Sequence, residues 1–188
     1  MERRLSSARA ATLDDLAALP SNVVGEIIAG VLHTRRRPAS PHAAAASALG
    51  EELGPPFKRG RGGPGGWVIL DEPELHLGED VLVPDLAGWR RERMRQMPHA
   101  AAFDLAPDWV CEVLSPSTLS IDRVGKVPIY AREGVGHVWL VDPLAQLLEV
   151  LRLDGATYRF IASYSAAATV RAEPFAAIAL DLSILWAR

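Results

Sequence analysis

The 188-residue chain has little cysteine, few aromatic residues and no excess of positive charge. Its one cysteine, Cys111, excludes an internal disulfide and a cysteine-rich zinc site, and it favours a reducing, cytoplasmic setting. The formal net charge of −3 argues against a surface coated in basic patches, so any contact with nucleic acid has to be local. No apolar run has the length of a signal peptide or a membrane span, so we expect a soluble protein that is not exported and has no membrane contact.

Hydrophobic residues make up 49% of the sequence, which is enough to bury one sizeable core. We therefore expect a single domain over residues 1–188. Residues 1–11 are expected to be flexible, and the core is expected to span about 23–165.

Three stretches carry helix signals. Thr12 with Asp15 forms a variant of the capping box, which begins a short helix that Pro20 ends. Ser40 and Pro41 suit the N-cap and the first position of a longer helix. The predicted helices cover about 12–19, 41–53 and 121–132, the last with Pro128 as a kink and Gly134 after its end.

Short apolar and β-branched runs between turn residues predict strands over much of the remaining chain. Residues 23–33 are expected to form a hairpin that turns at Ala29-Gly30. The other expected strands are an antiparallel meander of 67–70, 75–77 and 81–89, then 109–114 and 137–141, then a hairpin of 147–153 and 157–164 around Asp154-Gly155. Strands, a crossover helix and a further strand predict an α/β fold with a mixed sheet.

Two segments rich in cations lie between these strands. Lys58 to Gly66 combines glycines with basic residues, and it fits either a phosphate-contacting loop or a solvated connection. Arg90 to Arg95 is expected to be a short surface helix, followed by a loop as far as Pro107. Its arginines fit either a solvated face or a DNA contact.

One acid interrupts each of two otherwise apolar strands, Asp85 in 81–89 and Glu112 in 109–114. A buried charge needs a partner or a metal ion. Two such strands side by side would place both acids within reach of one metal ion. Taken alone, the residues also allow Asp85 to be a strand-end acid and Glu112 to be paired with an arginine.

A polar stripe follows the second strand. Asp122, Lys126 and Tyr130 recur every four residues, so on a helix they lie on one face. An ordinary helical ion pair between Asp122 and Lys126 explains the same spacing without any function.

These motifs occur in an order that resembles a known family. Val83-Pro84-Asp85, the run from Glu112 to Thr118, the stripe from Asp122 to Tyr130, Gly134-Val135 and the run from Val138 to Pro143 are similar to the Uma-two family, described as putative restriction endonucleases, within the PD-(D/E)XK nuclease superfamily. The resemblance covers most of the chain. It implies a restriction-endonuclease-like mixed β-sheet flanked by helices, with an additional N-terminal hairpin.

The resemblance also implies a site. The residues with catalytic roles would be Asp85, Glu112, Lys126, Glu26 and Asp122, and the metal ligands would be Asp85, Glu112 and the backbone carbonyl of Val113. Leu114 stands where the superfamily motif has its lysine, and Lys126 on the following helix resembles a migrated replacement. Glu26 resembles a further family acid, and His42 resembles a family histidine at the start of the next helix.

The activity implied is that of an endonuclease that hydrolyses phosphodiester bonds in DNA with Mg²⁺ or Mn²⁺. A homodimer is expected, because the two strands of a duplex need two sites. Two alternatives stay open: a catalytically inactive nuclease-fold protein that binds nucleic acid or a protein partner, and a metal-dependent phosphoesterase that acts on small substrates.

Overall fold

The computed structural model describes residues 9–35 and 39–186. In chain order the strands are β1 Val24–Ile28, β2 Val31–Arg35, β3 Trp67–Asp71, β4 Glu74–Leu77, β5 Asp80–Leu82, β6 Leu86–Arg90, β7 Ala102–Phe103, β8 Trp109–Val113, β9 His137–Asp142, β10 Leu147–Asp154, β11 Thr157–Ser165, β12 Thr169–Val170 and β13 Leu180–Asp181. The α-helices are α1 Leu13–Ala17, α2 Ser40–Leu53 and α3 Val127–Arg132. Two π-helical turns, Gly54–Lys58 and Ile121–Lys126, and a 3₁₀-helix, Leu182–Trp186, complete the described elements.

The strands form a six-stranded sheet, a five-stranded sheet and a separate pair. The six-stranded sheet has the order β11-β10-β9-β8-β6-β3, and only its β8–β9 pair is parallel. The five-stranded sheet has the order β2-β1-β5-β4-β7. The mixed sheets with few flanking helices confirm the expected α/β fold, and β1 and β2 supply the additional N-terminal hairpin.

The two short hairpins are confirmed. Ala29 and Gly30 connect β1 to β2 with φ angles of 50° and 77°, which suit the tight turn that matches strand twist. β10 and β11 pair antiparallel around Asp154-Gly155 as expected.

The predicted meander is wrong, because β3 to β6 form one long hairpin that bends between the two sheets. β3 pairs with β6 in the larger sheet, β4 pairs with β5 in the smaller one, and the register is the same on both sides of the bend. Pro73 and Pro84 face each other at the bend by this register. Since proline has no N–H to donate, the expected strand 81–89 is split there into β5 and β6.

The region from Arg90 to Pro107 also differs from its prediction. Arg90 ends β6, and residues 91–95 make turns instead of a helix, with the Met94 N–H donating to the Arg90 carbonyl at 3.0 Å. Met94 is buried, which ties this turn to the core. The short strand β7 then pairs with β4, a contact between distant segments that no local pattern predicts.

The three helices are confirmed with changes at their ends. α1 is short, and the Thr12 N–H donates to Asp15 Oδ2 at 2.8 Å as the capping box requires. α2 begins at Ser40, so Ala39 and not Ser40 is its N-cap. The expected loop 58–66 is irregular apart from Lys58, which ends the first π-helical turn.

The larger sheet has a hydrophobic cluster on each face. In β8, Trp109, Cys111 and Val113 belong to the cluster under α2, whereas Val110 and Leu114 belong to the cluster under α3 and the smaller sheet. Residues beyond the expected 23–165 also contribute, since Phe175 packs on Trp67 with ring centroids 4.8 Å apart and Trp186 is buried.

The expected flexible segment 1–11 falls largely outside the described residues, because the description begins at residue 9. Within its described part, the Ala11 N–H donates to the Gly30 carbonyl at 2.8 Å. In the described parts of the chain, no helix combines the length and the apolar character that crossing a membrane requires.

Candidate active site

Glu112 lies in the middle of the larger sheet, where strand alternation turns its side chain to the α3 face. Its neighbours Val110 and Leu114 share that face, and the Glu112 residue is only 1% exposed. Leu114 is buried as well, and its N–H donates to the Val141 carbonyl at 2.7 Å. The carboxylate therefore sits within an apolar cluster and depends on the polar groups that reach it.

Asp85 lies opposite Glu112 on the neighbouring strand. β6 and β8 pair antiparallel with Leu86 facing Cys111, so the next position in this register sets Asp85 against Glu112. Asp85 Oδ2 accepts the Val113 N–H at 2.7 Å. His42 Nε2 lies 3.3 Å from Asp85 Oδ1. The expected side-by-side placement of the two acids is thus present.

Lys126 lies among three carboxylates. Its Nζ is 2.9 Å from Glu26 Oε1, 3.1 Å from Asp122 Oδ1 and 3.2 Å from Glu112 Oε2, and Lys126 is 3% exposed. The three acids come from β1, from the turn that carries the lysine, and from β8. The lysine therefore joins the smaller sheet to the larger one through buried ion pairs.

Two further hydrogen bonds hold the acids in place. The Tyr130 hydroxyl donates to Glu112 Oε1 at 2.6 Å, so each Glu112 oxygen has one donor within the cluster. The Val83 N–H donates to Glu26 Oε1 at 2.7 Å. Because Val83 and Asp85 flank Pro84, the bend of the long hairpin positions groups on both sides of the site.

The polar stripe is carried by a helix with a wider first turn. The Val127 N–H donates to the Asp122 carbonyl, five residues back, and Pro128, which has no N–H, follows at once. Within this helix Asp122 and Lys126 are paired, and Tyr130 reaches the same carboxylate as Lys126. The predicted stripe is therefore present, with Lys126 and Tyr130 in contact with Glu112 and Asp122 in contact with Lys126.

Burial and like charges oppose ionisation of two of the acids. Burial raises the pKa of Glu112 well above its usual value, the nearby carboxylates raise it further, and Lys126 lowers it only in part. Burial likewise raises the pKa of Asp122. Burial alone would lower the pKa of Lys126, but Glu112, Glu26 and Asp122 raise it overall, so the lysine stays charged. Burial and Glu112 raise the pKa of Tyr130, which keeps its hydroxyl as a donor.

Sequence reasoning missed Arg35 and Thr118. The Arg35 guanidinium donates to Glu72 Oε1 at 3.0 Å, and Asp85 and Glu26 help to raise its pKa despite burial. Arg35 ends the strand that pairs with the Glu26 strand, so the hairpin pattern could have pointed to it. Thr118 precedes Asp122 by one helical turn, its carbonyl accepts the Asp122 N–H at 2.9 Å, and it lines a cavity beside Glu112.

A narrow cavity and a wider cleft adjoin these side chains. The cavity, of about 10 Å³, is comparable to the space that one water molecule needs. Asp85, Glu112, Lys126 and Val113 are among its lining residues. The cleft, of about 460 Å³, is lined on one side by Arg35 and His42 and on the other by the hydroxyl groups of residues 115, 117 and 118.

The site carries more negative than positive formal charge. Four buried carboxylates face the buried Lys126 and the half-buried Arg35; the acids are Glu26, Asp85, Glu112 and Asp122. Two carboxylates with water in the remaining positions are a common protein contribution to a Mg²⁺ site. Asp85 and Glu112 fit that description, although among residues 9–35 and 39–186 no set of three or more His, Cys, Asp or Glu side chains is arranged around a metal position.

Comparisons with known proteins identify the family and the fold of the chain. A family model described as "Uma2: Putative restriction endonuclease" matches residues 12–184. A solved structure described as a putative nuclease belonging to DUF820 from Anabaena variabilis shares the fold with a TM-score of 0.75 and 24% identity, over 94% of this chain and 97% of that one. No curated protein sequence matches. The family match, with the fold, supports a nuclease-like function, and since it covers most of the length, the chain belongs to the Uma2 family.

Proposed function

We propose that this chain is an endonuclease that hydrolyses phosphodiester bonds in DNA with Mg²⁺ or Mn²⁺, and that it acts in the cytoplasm. The observation that carries the proposal is the pair Asp85 and Glu112, which lie opposite each other on adjacent strands with Lys126 3.2 Å from Glu112. Two acids and one lysine at the edge of a cleft are the groups that metal-assisted hydrolysis requires.

Asp85, Glu112 and the backbone carbonyl of Val113 would hold the metal ion. Once bound, the ion would neutralise charge on the phosphate and make a water molecule more nucleophilic. The Val113 N–H already fixes the orientation of the Asp85 carboxylate, and Tyr130 fixes that of Glu112. Both acids are therefore presented in a defined orientation before any ligand binds.

Lys126 is the proposed group beside the attacking water and the phosphate. Its charge is secured by three carboxylates, so it stays protonated at neutral pH. Since its three N–H groups face these carboxylates, it would exchange one of them for an anionic oxygen of the substrate. Glu26 and Asp122 act as positioning residues, because they contact Lys126 and hold it at the cavity. This arrangement would allow Lys126, which lies on a helix, to take the role of the motif lysine whose position on the strand is occupied by Leu114.

The adjoining cleft supports a phosphate-bearing substrate. Arg35 supplies a guanidinium, and Ser115, Ser117 and Thr118 supply hydroxyl donors around a space of about 460 Å³. Guanidinium and hydroxyl groups are the usual donors to backbone phosphates. We expect Arg35 to bind a phosphate next to the one that is cleaved.

A homodimer is proposed for cleavage of both strands, because one copy of the chain offers one such site. Light scattering of the purified protein, alone and with a short duplex, measures the mass of the species in solution. A mass of one chain under both conditions would contradict the dimer.

The decisive experiment is cleavage of supercoiled plasmid in the presence of Mg²⁺ or Mn²⁺. We expect the wild type to nick or linearise the plasmid, and Asp85→Asn to reduce the rate by about 100-fold or more, since the amide still accepts the Val113 N–H but carries no charge. Glu79→Gln, a neutralised acid exposed in the turn between β4 and β5, is the matched control and should retain the wild-type rate.

Equal cleavage by the wild type and Asp85→Asn would refute the assignment. Binding of duplex without cleavage by the wild type would instead favour a nuclease-fold binding protein. Turnover of small phosphodiesters without plasmid cleavage would favour the phosphoesterase alternative.

A further inference from the structure

A strongly basic surface extends along β3, from a groove beside Asp71 to the end of the larger sheet that lies opposite Asp85. β3 and β6 run away from the site, and Trp67 at the start of β3 faces Arg90 at the end of β6. The glycine-rich loop before Trp67 and the turn after Arg90 therefore meet at one edge. Their exposed cations form what we call the basic face: Lys58, Arg59, Arg61, Arg90, Arg91 and Arg95.

Backbone hydrogen bonds hold these two segments together. The Arg91 N–H donates to the Gly66 carbonyl at 2.9 Å, and the Arg61 N–H donates to the Pro55 carbonyl at 2.8 Å. The Arg90 guanidinium carbon lies 4.1 Å from the centre of the Trp67 ring. The basic face is thus built on an ordered loop, and its side chains do not need the loop to fold around a ligand.

The cations of the basic face lack ionic partners, unlike most other cations of the described chain. Within residues 9–35 and 39–186, none of these six side chains lies within 4.0 Å of a carboxylate. Arg123, Arg132, Arg152 and Arg159 each have an acidic partner, whereas Arg171 donates to carbonyl groups. In a chain of net charge −3, six unpaired cations on one surface indicate an anionic ligand.

Acids near the basic face do not neutralise it. Asp108 pairs with Arg93, and Glu92 is exposed between arginines. Glu51 and Asp71 line a groove of about 420 Å³ together with Lys58 and Arg59, but neither forms an ion pair with them.

The distance from the far end of the basic face, at Arg90, to the site suits a polymer. Five residues of strand separate Arg90 from Asp85, which corresponds to about 17 Å. That length equals roughly five base pairs of duplex, at about 3.4 Å per step along each strand. A small phosphate ester cannot span it, whereas a duplex offers regularly spaced phosphates over such a distance.

We propose that the basic face binds the phosphate backbone of duplex DNA, at phosphates other than the one that is cleaved. Guanidinium groups bind phosphates in a bidentate manner, and these contacts orient a duplex without reading its sequence. The inference shares with the proposed function the assumption that DNA is the ligand, but it concerns binding and not hydrolysis.

Fluorescence anisotropy with a short labelled duplex tests the proposal, in EDTA and with Asp85→Asn throughout so that no cleavage intervenes. The test variant adds Arg59→Glu and Arg61→Glu. The control adds Arg159→Glu and Arg171→Glu, two exposed arginines that do not belong to the basic face. Both variants change the net charge equally, and circular dichroism verifies that both are folded. Binding is measured between about 50 and 200 mM salt.

We expect the test variant to bind at least about tenfold more weakly than the control. Its negative slope of log K against log salt should be shallower than that of the control by about 1.8, as two lost phosphate contacts require. Equal affinities and slopes for the two variants would overturn the basic face as a DNA site. So would a parent protein that does not bind duplex at about 50 mM salt, an outcome that would leave an acidic protein as the partner to seek. Loss of binding in the test variant alone, with no plasmid cleavage by the wild type, would support the basic face while refuting the proposed hydrolysis.

Discussion

Replacing Lys126 with methionine removes the only cation that touches Glu26, Glu112 and Asp122 among the described ion pairs, while keeping a side chain of similar length. The three carboxylates lie within 3.2 Å of Nζ, and all are buried. Removing one partner of a buried ion pair typically costs about 3–5 kcal/mol, because the other charge stays uncompensated. In a chain of this length, that loss corresponds to a fall in Tm of about 6–20 °C.

The loss should depend on pH in a definite direction. Burial already raises the pKa of Glu112 and Asp122, and without Lys126 both values rise further. An acid whose pKa is higher in the folded state binds more protons there than in the unfolded chain, so the free energy of unfolding falls as pH rises. We therefore expect Lys126→Met to be most destabilising at about pH 8 and least so at about pH 5, where protons can replace the lysine charge.

Urea unfolding followed by tryptophan fluorescence measures this effect, since all five tryptophans are buried in the core. Lys58→Met, at an exposed cation, should change the free energy of unfolding by less than about 0.5 kcal/mol. Adding Glu112→Gln to Lys126→Met should recover part of the loss, because it removes one uncompensated charge. A loss in Lys126→Met no larger than in Lys58→Met, or one that does not grow with pH, would refute the charge argument.

Three further outcomes follow from the same contacts. Tyr130→Phe should lower the free energy of unfolding by about 1.5–3 kcal/mol, because Glu112 loses its 2.6 Å hydrogen bond, and an unchanged urea midpoint would contradict this. Mn²⁺ affinity, measured by calorimetry, should increase from about pH 5.5 to pH 8 because the ion must displace the proton that the raised pKa of Glu112 retains, whereas a flat profile would exclude that competition. Gly88→Ala should cost about 1–3 kcal/mol, since the new Cβ would lie 3.1 Å from the Trp109 ring, while Gly54→Ala in open space should cost less than about 0.5 kcal/mol; equal midpoints would contradict the packing argument.

The central acids could be predicted because their signals are local. Glu112 interrupts an apolar strand, and its parity with Val110 and Leu114 assigns it to one face of the sheet. Asp122 and Lys126 are one helical turn apart, so any helix pairs them, even one with a π-helical turn. The capping box at Thr12 and the turn at Ala29-Gly30 were predictable for the same reason.

The remaining features depend on contacts between distant segments. The bend at Pro73 and Pro84 is visible as two prolines, but their opposition follows only from the register of the whole hairpin. Arg35 reaches the site because β1, the partner of its strand β2, pairs with β5. Local patterns do not indicate that pairing. The basic face arises the same way, from two segments that are separated along the chain and meet through the pairing of β3 with β6.

The bend in the long hairpin divides the site between the two sheets. Glu26 belongs to the smaller sheet, whereas Glu112 belongs to the larger one, and Lys126 contacts both. Between the sheets the long hairpin has two prolines in place of ladder donors, although the Glu72 N–H still donates to the Asp85 carbonyl at 3.0 Å. A small rotation of one sheet against the other would therefore change the Lys126–Glu26 distance relative to the Lys126–Glu112 distance. A spectroscopic probe of these two pairs would report sheet movement.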